Sequence, residues 1–177
     1  MEKLFFDTII LINLDRRPDK YRRVMKRIEL LGIDDVVNVI RLSAVDGQKI
    51  TKEQMDEEGV EVLPWFFDPN TGRGMTMGEI GCSLSHYYSW KEILENDNIQ
   101  SALIIEDDAV FTDDFVDVCQ KIVGDVKDID WDLFYLGRKR MFGMEGRPIT
   151  DDIVIPDFSY WCLAYVVNKE GANKLVN

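Results

Sequence analysis

The stretch ALIIEDDAV, residues 102–110, joins an uninterrupted apolar run to three adjacent acids. A short run of apolar residues rich in Ile and Leu is typical of a strand that is buried on both faces of a sheet. Glu106, Asp107 and Asp108 follow directly, so they are expected where that strand ends. In open α/β sheets, ligands bind outside the carboxyl ends of strands. The stretch therefore predicts an α/β fold with an acidic site at the sheet edge.

Apolar runs and amphipathic segments alternate along the whole chain of 177 residues. This alternation indicates an α/β fold with a mainly parallel central sheet flanked by helices. Residues 64–77, which contain two prolines and two glycines, predict a long loop. Further strands are predicted at residues 7–14, 36–42, 131–136 and 160–167, and helices at 18–31, 78–95, 113–126 and 170–176, with a short helix capped by Thr51.

Polar residues follow three of the predicted strands. These segments are residues 13–17, 106–108 and 137–140. Because the carboxyl ends of parallel strands meet at one edge of a sheet, the three segments are predicted to converge on a single site.

The three adjacent acids suggest a particular chemistry. Carboxylates this close repel one another, and a cation between them removes that penalty. Hard divalent ions such as magnesium and manganese prefer carboxylate oxygens and keep positions open for phosphate oxygens. The cluster therefore predicts a metal that bridges to a diphosphate. The alternative is an acidic turn without a ligand.

Other polar residues are candidates for the same site. His86, the only histidine, is a candidate general base or hydrogen-bond donor, or else a core histidine bonded to a neighbouring carbonyl. Asp107 is a second candidate base, and a residue beyond position 177 is a third candidate. Arg138 opens a basic run that either contacts a diphosphate or forms a solvated turn.

Basic residues also cluster around the first predicted helix. Arg16 lies at a strand end, and Arg16→Ala is predicted to weaken ligand binding. Lys20 and Lys26 are expected on the outer face of the helix, where replacement by alanine changes stability by under about 0.5 kcal/mol and leaves binding intact.

Composition excludes several classes of function. The formal net charge of −12 disfavours nucleic acid and anionic membranes as partners. No apolar run approaches the roughly 20 residues of a membrane span. The three cysteines have no C-x-x-C spacing, so they are predicted to be buried thiols rather than a zinc site. The patterns G-x-S-x-G, G-x-x-x-x-G-K-[ST] and G-x-G-x-x-G are absent from the sequence, which disfavours serine hydrolases, ATPases and dehydrogenases.

Six segments carry a resemblance to a known family. In chain order they are INLDRR (12–17), AVDG (44–47), GEIGCSLSH (78–86), LIIEDD (103–108), WDLFYLGRKRM (131–141) and SYWCLAY (159–165). Together they resemble glycosyltransferase family 25, which includes bacterial lipooligosaccharide galactosyltransferases and procollagen galactosyltransferases. The last two segments are closer to the collagen branch.

The resemblance implies a GT-A fold, a UDP-sugar donor (UDP-galactose in the collagen branch) and manganese. By matching position, Glu106 and Asp108 would bind the metal, and Asn13, Arg16 and Asp46 would lie near the uridine. The acceptor would be a glycan or a collagen-like polypeptide. Residues 1–177 are expected to form a single glycosyltransferase domain that lacks the C-terminal part of the family domain.

The resemblance leaves alternatives open. A non-catalytic adhesion relative and a bacterial-type surface-glycan transferase fit the same segments. The compartment would be the endoplasmic reticulum lumen in the collagen branch and the cytoplasm in a bacterial or viral protein.

Overall fold

A five-stranded sheet forms the centre of the fold. The computed structural model describes residues 4–68, 71–140, 146–157 and 159–177, and it describes Tyr160 by its backbone alone. The strands are β1 (Thr8–Asn13), β2 (Asn38–Ser43), β3 (Ser101–Glu106), β4 (Leu133–Arg140) and β7 (Ser159–Asn168), and the short pair β5 (Arg147–Pro148) and β6 (Val154–Ile155) lies apart from this sheet. The helices are α1 (Pro18–Leu30), α2 (Lys52–Glu57), α3 (Met77–Glu95), α4 (Phe115–Val126) and α5 (Lys169–Val176).

The sheet has the order β2-β1-β3-β7-β4. β1 is parallel to β2 and β3, whereas β7 is antiparallel to both β3 and β4. Four of the five strands therefore point in one direction, which confirms the predicted mainly parallel sheet. Ile12 is in register with Glu106, and Asn13 with Ser43, so the ends of β1, β2 and β3 meet at one edge.

Both faces of the sheet are covered. Successive side chains of a strand point to opposite faces, and β1 is buried along its whole length. Ile9 and Leu11 pack on one face with residues of α1 and α4, while Ile10 and Ile12 pack on the other with residues of α3 and α5. This two-sided burial fixes β1 and β3, and with them the polar residues at their carboxyl ends.

One strand differs from its prediction. β4 continues through Arg140, so Gly137, Arg138 and Lys139 lie within the strand rather than after it. The long strand β7 provides hydrogen-bond partners as far as Arg140, across two register shifts near Gly137. The prediction that residues 137–140 form a polar segment after the strand was therefore wrong. Within the described ranges, no helix is long and apolar enough to cross a membrane.

Candidate functional site

A cavity of about 300 Å³ lies at the carboxyl edge of β1, β2 and β3. All three acids of the predicted cluster line it, together with Arg16, Asp46 and His86. Of the three segments predicted to converge, residues 13–17 and 106–108 meet here, whereas residues 137–140 do not line this cavity. Other lining residues come from the turn after β2 and from α3, and include Val45, Gly47, Gln48, Gly78, Cys82 and Ser85.

Close packing of glycines joins the two walls of this cavity. A Cβ on Gly81 of α3 would lie 2.6 Å from the carbonyl oxygen of Val45 and 2.8 Å from the backbone nitrogen of Gly47. A Cβ on Gly47 would in turn overlap the carbonyl of Met77. Only glycine permits this approach. The first turns of α3 are therefore fixed against the turn that carries Asp46.

Asn13 lies behind the cavity wall. Its side-chain nitrogen donates to Asp107 Oδ2 at 2.7 Å and to the Arg17 carbonyl at 2.9 Å. Its oxygen accepts from Arg41 at 2.9 and 3.1 Å. The side chain is fully buried and is not among the lining residues of this cavity. Asn13 therefore positions Asp107, a role that the sequence did not reveal.

Asp107 is engaged on both carboxylate oxygens. Lys20 donates to Oδ1 at 3.0 Å, while Asn13 occupies Oδ2. Lys20 also lies 4.0 Å from Asp108, and its side chain is only 27% exposed. The prediction that Lys20 belongs to a solvated helix face was wrong, because the first turn of α1 faces the acids. Lys26 is exposed, as predicted.

Arg16 and Asp46 come together across the cavity mouth. Arg16 donates through Nε to Asp46 Oδ2 at 2.8 Å, and the Gln48 amide donates to Oδ1 at 3.2 Å. The hydrogen bond from Arg16 holds the pKa of Asp46 below its usual range. Both residues also line an adjoining cavity of about 260 Å³, which extends the site away from the three acids.

His86 is a buried residue that faces Glu106. Its Nδ1 lies 2.7 Å from the hydroxyl of Tyr165, which also accepts from Trp90 Nε1 at 3.1 Å. Its Nε2 lies 3.5 Å from Glu106 Oε1. His86 is thus held by a hydroxyl rather than by a carbonyl, with its second ring nitrogen directed at the acid cluster.

A larger cavity of about 1000 Å³ begins where the first one ends. Glu106 and Asp108 line both, so these two acids lie at the boundary. The far wall combines apolar and aromatic residues with two acids, and Trp161 on it is 63% exposed with a φ of 69°. A bulky residue in this left-handed region is strained, and strained residues cluster at active sites and ligand-binding sites. Other wall residues are Phe66, Asp68, Met75, Glu79 and Leu163.

The predicted site residue Arg138 lies elsewhere. It donates to Ser159 Oγ at 2.7 Å and lines a separate cavity of about 380 Å³ with Tyr135 and Ile153. β7 separates its strand from the acids of β3.

The cysteines also differ in part from their prediction. Cys119 is buried, but Cys82 and Cys162 are exposed in the wall of the larger cavity, so the prediction of three buried thiols was wrong for these two.

The loop before α3 is anchored by one ion pair. Arg73 donates to both carboxylate oxygens of Glu79 at 2.7 and 2.9 Å, and Glu79 and Thr76 form a capping box. The hydrogen bonds from Arg73, and to a smaller extent those from Thr76, lower the pKa of Glu79 to about 2. A carboxyl group with a lowered pKa stabilises the fold above its unfolded pKa, and this contribution is lost as the pH falls through the folded value.

We therefore expect Glu79→Gln to lower the melting temperature at pH 7, and the difference from the unaltered chain to shrink between about pH 4.5 and pH 2. Thermal melting of both proteins across this pH range measures the difference in melting temperature. Glu95→Gln, at the other end of α3, is the control, and an equal pH dependence of both variants would contradict the anchoring role.

Comparison with known proteins agrees with this geometry. The family model described as Glycosyltransferase family 25 (LPS biosynthesis protein) matches residues 6–145. Procollagen galactosyltransferase 2 of Homo sapiens is 38% identical over 180 residues, which are 99% of this chain and 28% of that protein. The glycosyltransferase 25 family member of Aedes aegypti is 36% identical over 178 residues, 99% of this chain and 28% of the relative.

A third relative, named probable inactive glycosyltransferase 25 family member 3, comes from Rattus norvegicus. It is 35% identical over 181 residues, 98% of this chain and 30% of the relative. The chain thus spans less than a third of the length of these curated relatives. Its fold, its acidic cluster and the family match lead to one conclusion: the chain belongs to glycosyltransferase family 25.

Proposed function

We propose that the chain binds a UDP-sugar and transfers a hexose, galactose by similarity to the procollagen galactosyltransferases, to an acceptor hydroxyl in a metal-dependent reaction. One observation carries the proposal: Glu106 and Asp108 lie between a cavity with basic residues and a cavity with aromatic residues. A transferase needs two adjoining sites of this kind, one for the donor and one for the acceptor.

The smaller cavities suit the donor. Arg16 and Lys20 carry positive charge towards the first of them, where they would neutralise the leaving diphosphate. Asp46 lies at the junction with the adjoining cavity, which is open enough to receive the uridine. In this proposal Asn13 acts indirectly, because it holds the Asp107 carboxylate that positions Lys20.

The two acids at the boundary suit a hard divalent cation. Glu106 and Asp108 offer carboxylate oxygens, and their side chains are 34% and 56% exposed, which leaves room for phosphate oxygens to complete the coordination. A bound manganese ion would supply positive charge to the departing UDP. His86 is the better placed of the two predicted bases, because Nε2 faces the boundary whereas both oxygens of Asp107 are engaged.

The larger cavity suits the acceptor. Exposed aromatic rings such as Trp161 and Phe66 stack on sugar rings or on apolar parts of a polypeptide. The acids around them favour a basic segment, which supports a collagen-like polypeptide as the acceptor, whereas a glycan acceptor would depend on the aromatic rings alone. With a collagen-like acceptor, we propose the endoplasmic reticulum lumen as the compartment.

The proposal predicts that manganese and UDP strengthen each other's binding. The diphosphate would supply oxygen ligands that complete the coordination left open by Glu106 and Asp108, and the manganese ion would supply positive charge to the diphosphate. Calorimetric titration with UDP, with and without manganese, measures this coupling. Equal UDP affinity in both conditions would contradict the metal role.

Two lysines of α1 provide a matched pair for the same titration. Lys20→Ala should weaken UDP binding, because it removes a cation from the cavity, whereas Lys26→Ala on the exposed face should not. Equal losses from both would contradict the assignment of the smaller cavity to the donor.

The relative from Rattus norvegicus that is named probable inactive supports a second candidate, a binding module without transfer activity. Hydrolysis of UDP-galactose in the presence of manganese separates the two. UDP binding without release of galactose would favour the binding module.

A further inference from the structure

We propose that Cys82, His86 and Glu106 form a second cation site, selective for a thiophilic divalent ion such as Zn²⁺, which shares Glu106 with the proposed manganese site. The Sγ, a ring nitrogen and a carboxylate oxygen of these residues all lie within 4.8 Å of one another. Such a donor set differs from the two acids proposed for manganese, because it includes sulfur and nitrogen.

The separation of the His86 and Glu106 donor atoms fits tetrahedral coordination, and the Cys82 side chain would close on the ion from within 4.8 Å. In a tetrahedral zinc site, bonds of about 2.0–2.2 Å to nitrogen and oxygen place a nitrogen ligand and an oxygen ligand roughly 3.4 Å apart. His86 Nε2 and Glu106 Oε1 are 3.5 Å apart. Cys82 lies four residues before His86 on α3, so both side chains point from the same face of that helix.

His86 provides the independent observation. The residue is 4% exposed, and its Nε2 is the buried side-chain atom for which the described part of the chain offers no hydrogen-bond partner. A buried polar atom without a hydrogen bond calls for an explanation, and an ion held between Nε2 and the Glu106 carboxylate, 3.5 Å away, supplies one. Nε2 is aimed at Glu106, into the space between the three donors.

The other ring nitrogen is held as zinc ligands usually are. A histidine that binds a metal through one nitrogen donates the other N–H to a neighbouring group, which fixes the ring and its tautomer. Nδ1 lies 2.7 Å from the Tyr165 hydroxyl, and Trp90 fixes that hydroxyl from its other side. The ring is therefore already oriented with Nε2 towards the proposed ion.

The donor set also determines which ion binds. Thiolate and imidazole ligands favour zinc, whereas manganese favours oxygen ligands. On binding, the Cys82 thiol would lose its proton to solvent and bind as the thiolate. Zinc at this site would occupy Glu106 and His86 together. If the proposed function is correct, zinc therefore inhibits transfer by withholding a manganese ligand and the proposed base.

Cobalt(II) tests the site without UDP, manganese or activity, so its outcome is independent of the proposed function. We expect titration of the metal-free chain to produce a near-ultraviolet thiolate-to-cobalt charge-transfer band that saturates at one ion per chain and is displaced by zinc. Cys82→Ser should lack the band. Cys162→Ser is the matched control, since Cys162 is also exposed in the larger cavity, and it should keep the band.

A second variant tests the histidine. Tyr165→Phe keeps the buried ring but removes the hydroxyl that orients His86, and it should weaken zinc binding about 10–100-fold. Circular dichroism verifies that each variant is folded. No band in the unaltered chain, a band that persists in Cys82→Ser, or equal loss of the band in Cys162→Ser would each overturn the proposal.

Discussion

Asp108→Asn is expected to remove the manganese-dependent part of UDP binding and to leave thermal stability almost unchanged. The amide keeps the shape and one oxygen of the side chain but loses the negative charge that a cation requires. We expect at least the 10–100-fold loss in metal affinity that is typical when even an outer partner of a metal site is replaced. Calorimetry with UDP and manganese measures it.

The structure explains why stability should change little. The side chain of Asp108 is 56% exposed, and its ion pair with Lys20 spans 4.0 Å. Exposed pairs of this kind contribute about 0–1 kcal/mol. Asp97→Asn is the control, because Asp97 is fully exposed and has one comparable pair, with Lys169 at 3.7 Å. A lower melting temperature with unchanged manganese-dependent affinity would show that Asp108 caps the following turn instead.

Of the substitutions proposed for this protein, Asn13→Asp is expected to lower the free energy of unfolding the most. The amide nitrogen of Asn13 donates to Asp107 and to the Arg17 carbonyl from a fully buried position. A carboxylate cannot donate these bonds, and it places a second negative charge against Asp107. We expect a loss of at least about 1–3 kcal/mol, the cost of buried polar groups without partners. Urea unfolding measures the free energy.

The loss should depend on pH. Burial and repulsion from Asp107 raise the pKa of the introduced carboxyl group in the folded chain, and the hydrogen bonds from Arg41, which favour the charged form, offset this only in part. A group with a raised pKa binds its proton more tightly in the folded state, so the deficit should shrink as the pH falls towards 4 and grow towards neutrality. Asn13→Ala is the control, since it removes the two hydrogen bonds that the Asn13 amide nitrogen donates, and also those from Arg41, without an added charge. A deficit of Asn13→Asp that does not change with pH would contradict the role of Asn13 as the partner of Asp107.

The apolar run before Glu106 was enough to predict the acidic edge of the sheet. Register explains this success, because burial of both faces of β1 and β3 leaves few ways to align their ends. The capping box of Thr51 and Gln54 was equally predictable, since it depends on residues only three positions apart.

Contacts between side chains that are far apart in the sequence could not be predicted in the same way. The spacing of Lys20 fits an outer helix face, and nothing local to it indicates that Asp107, 87 positions away, is its partner. Arg41 was missed because a basic residue on an edge strand is usually solvated, whereas here it binds Asn13. Arg138 was assigned to the site because the sequence predicts a strand at residues 160–167 but not its antiparallel pairing with β4, which extends β4 through Arg140.

The two sides of the site differ in how strongly their sequences are constrained. The wall of the smaller cavity requires glycine at positions 47 and 81, and almost any replacement there would force the backbone apart. The rim of the larger cavity includes residues such as Phe66 and Met75, from a loop tied to α3 through Arg73 and Glu79. Substitutions in that loop leave the glycine contacts untouched. With the donor in the smaller cavity and the acceptor in the larger one, as we propose, members of such a family can diverge over evolution in the acceptor that they recognise while they keep the same donor site.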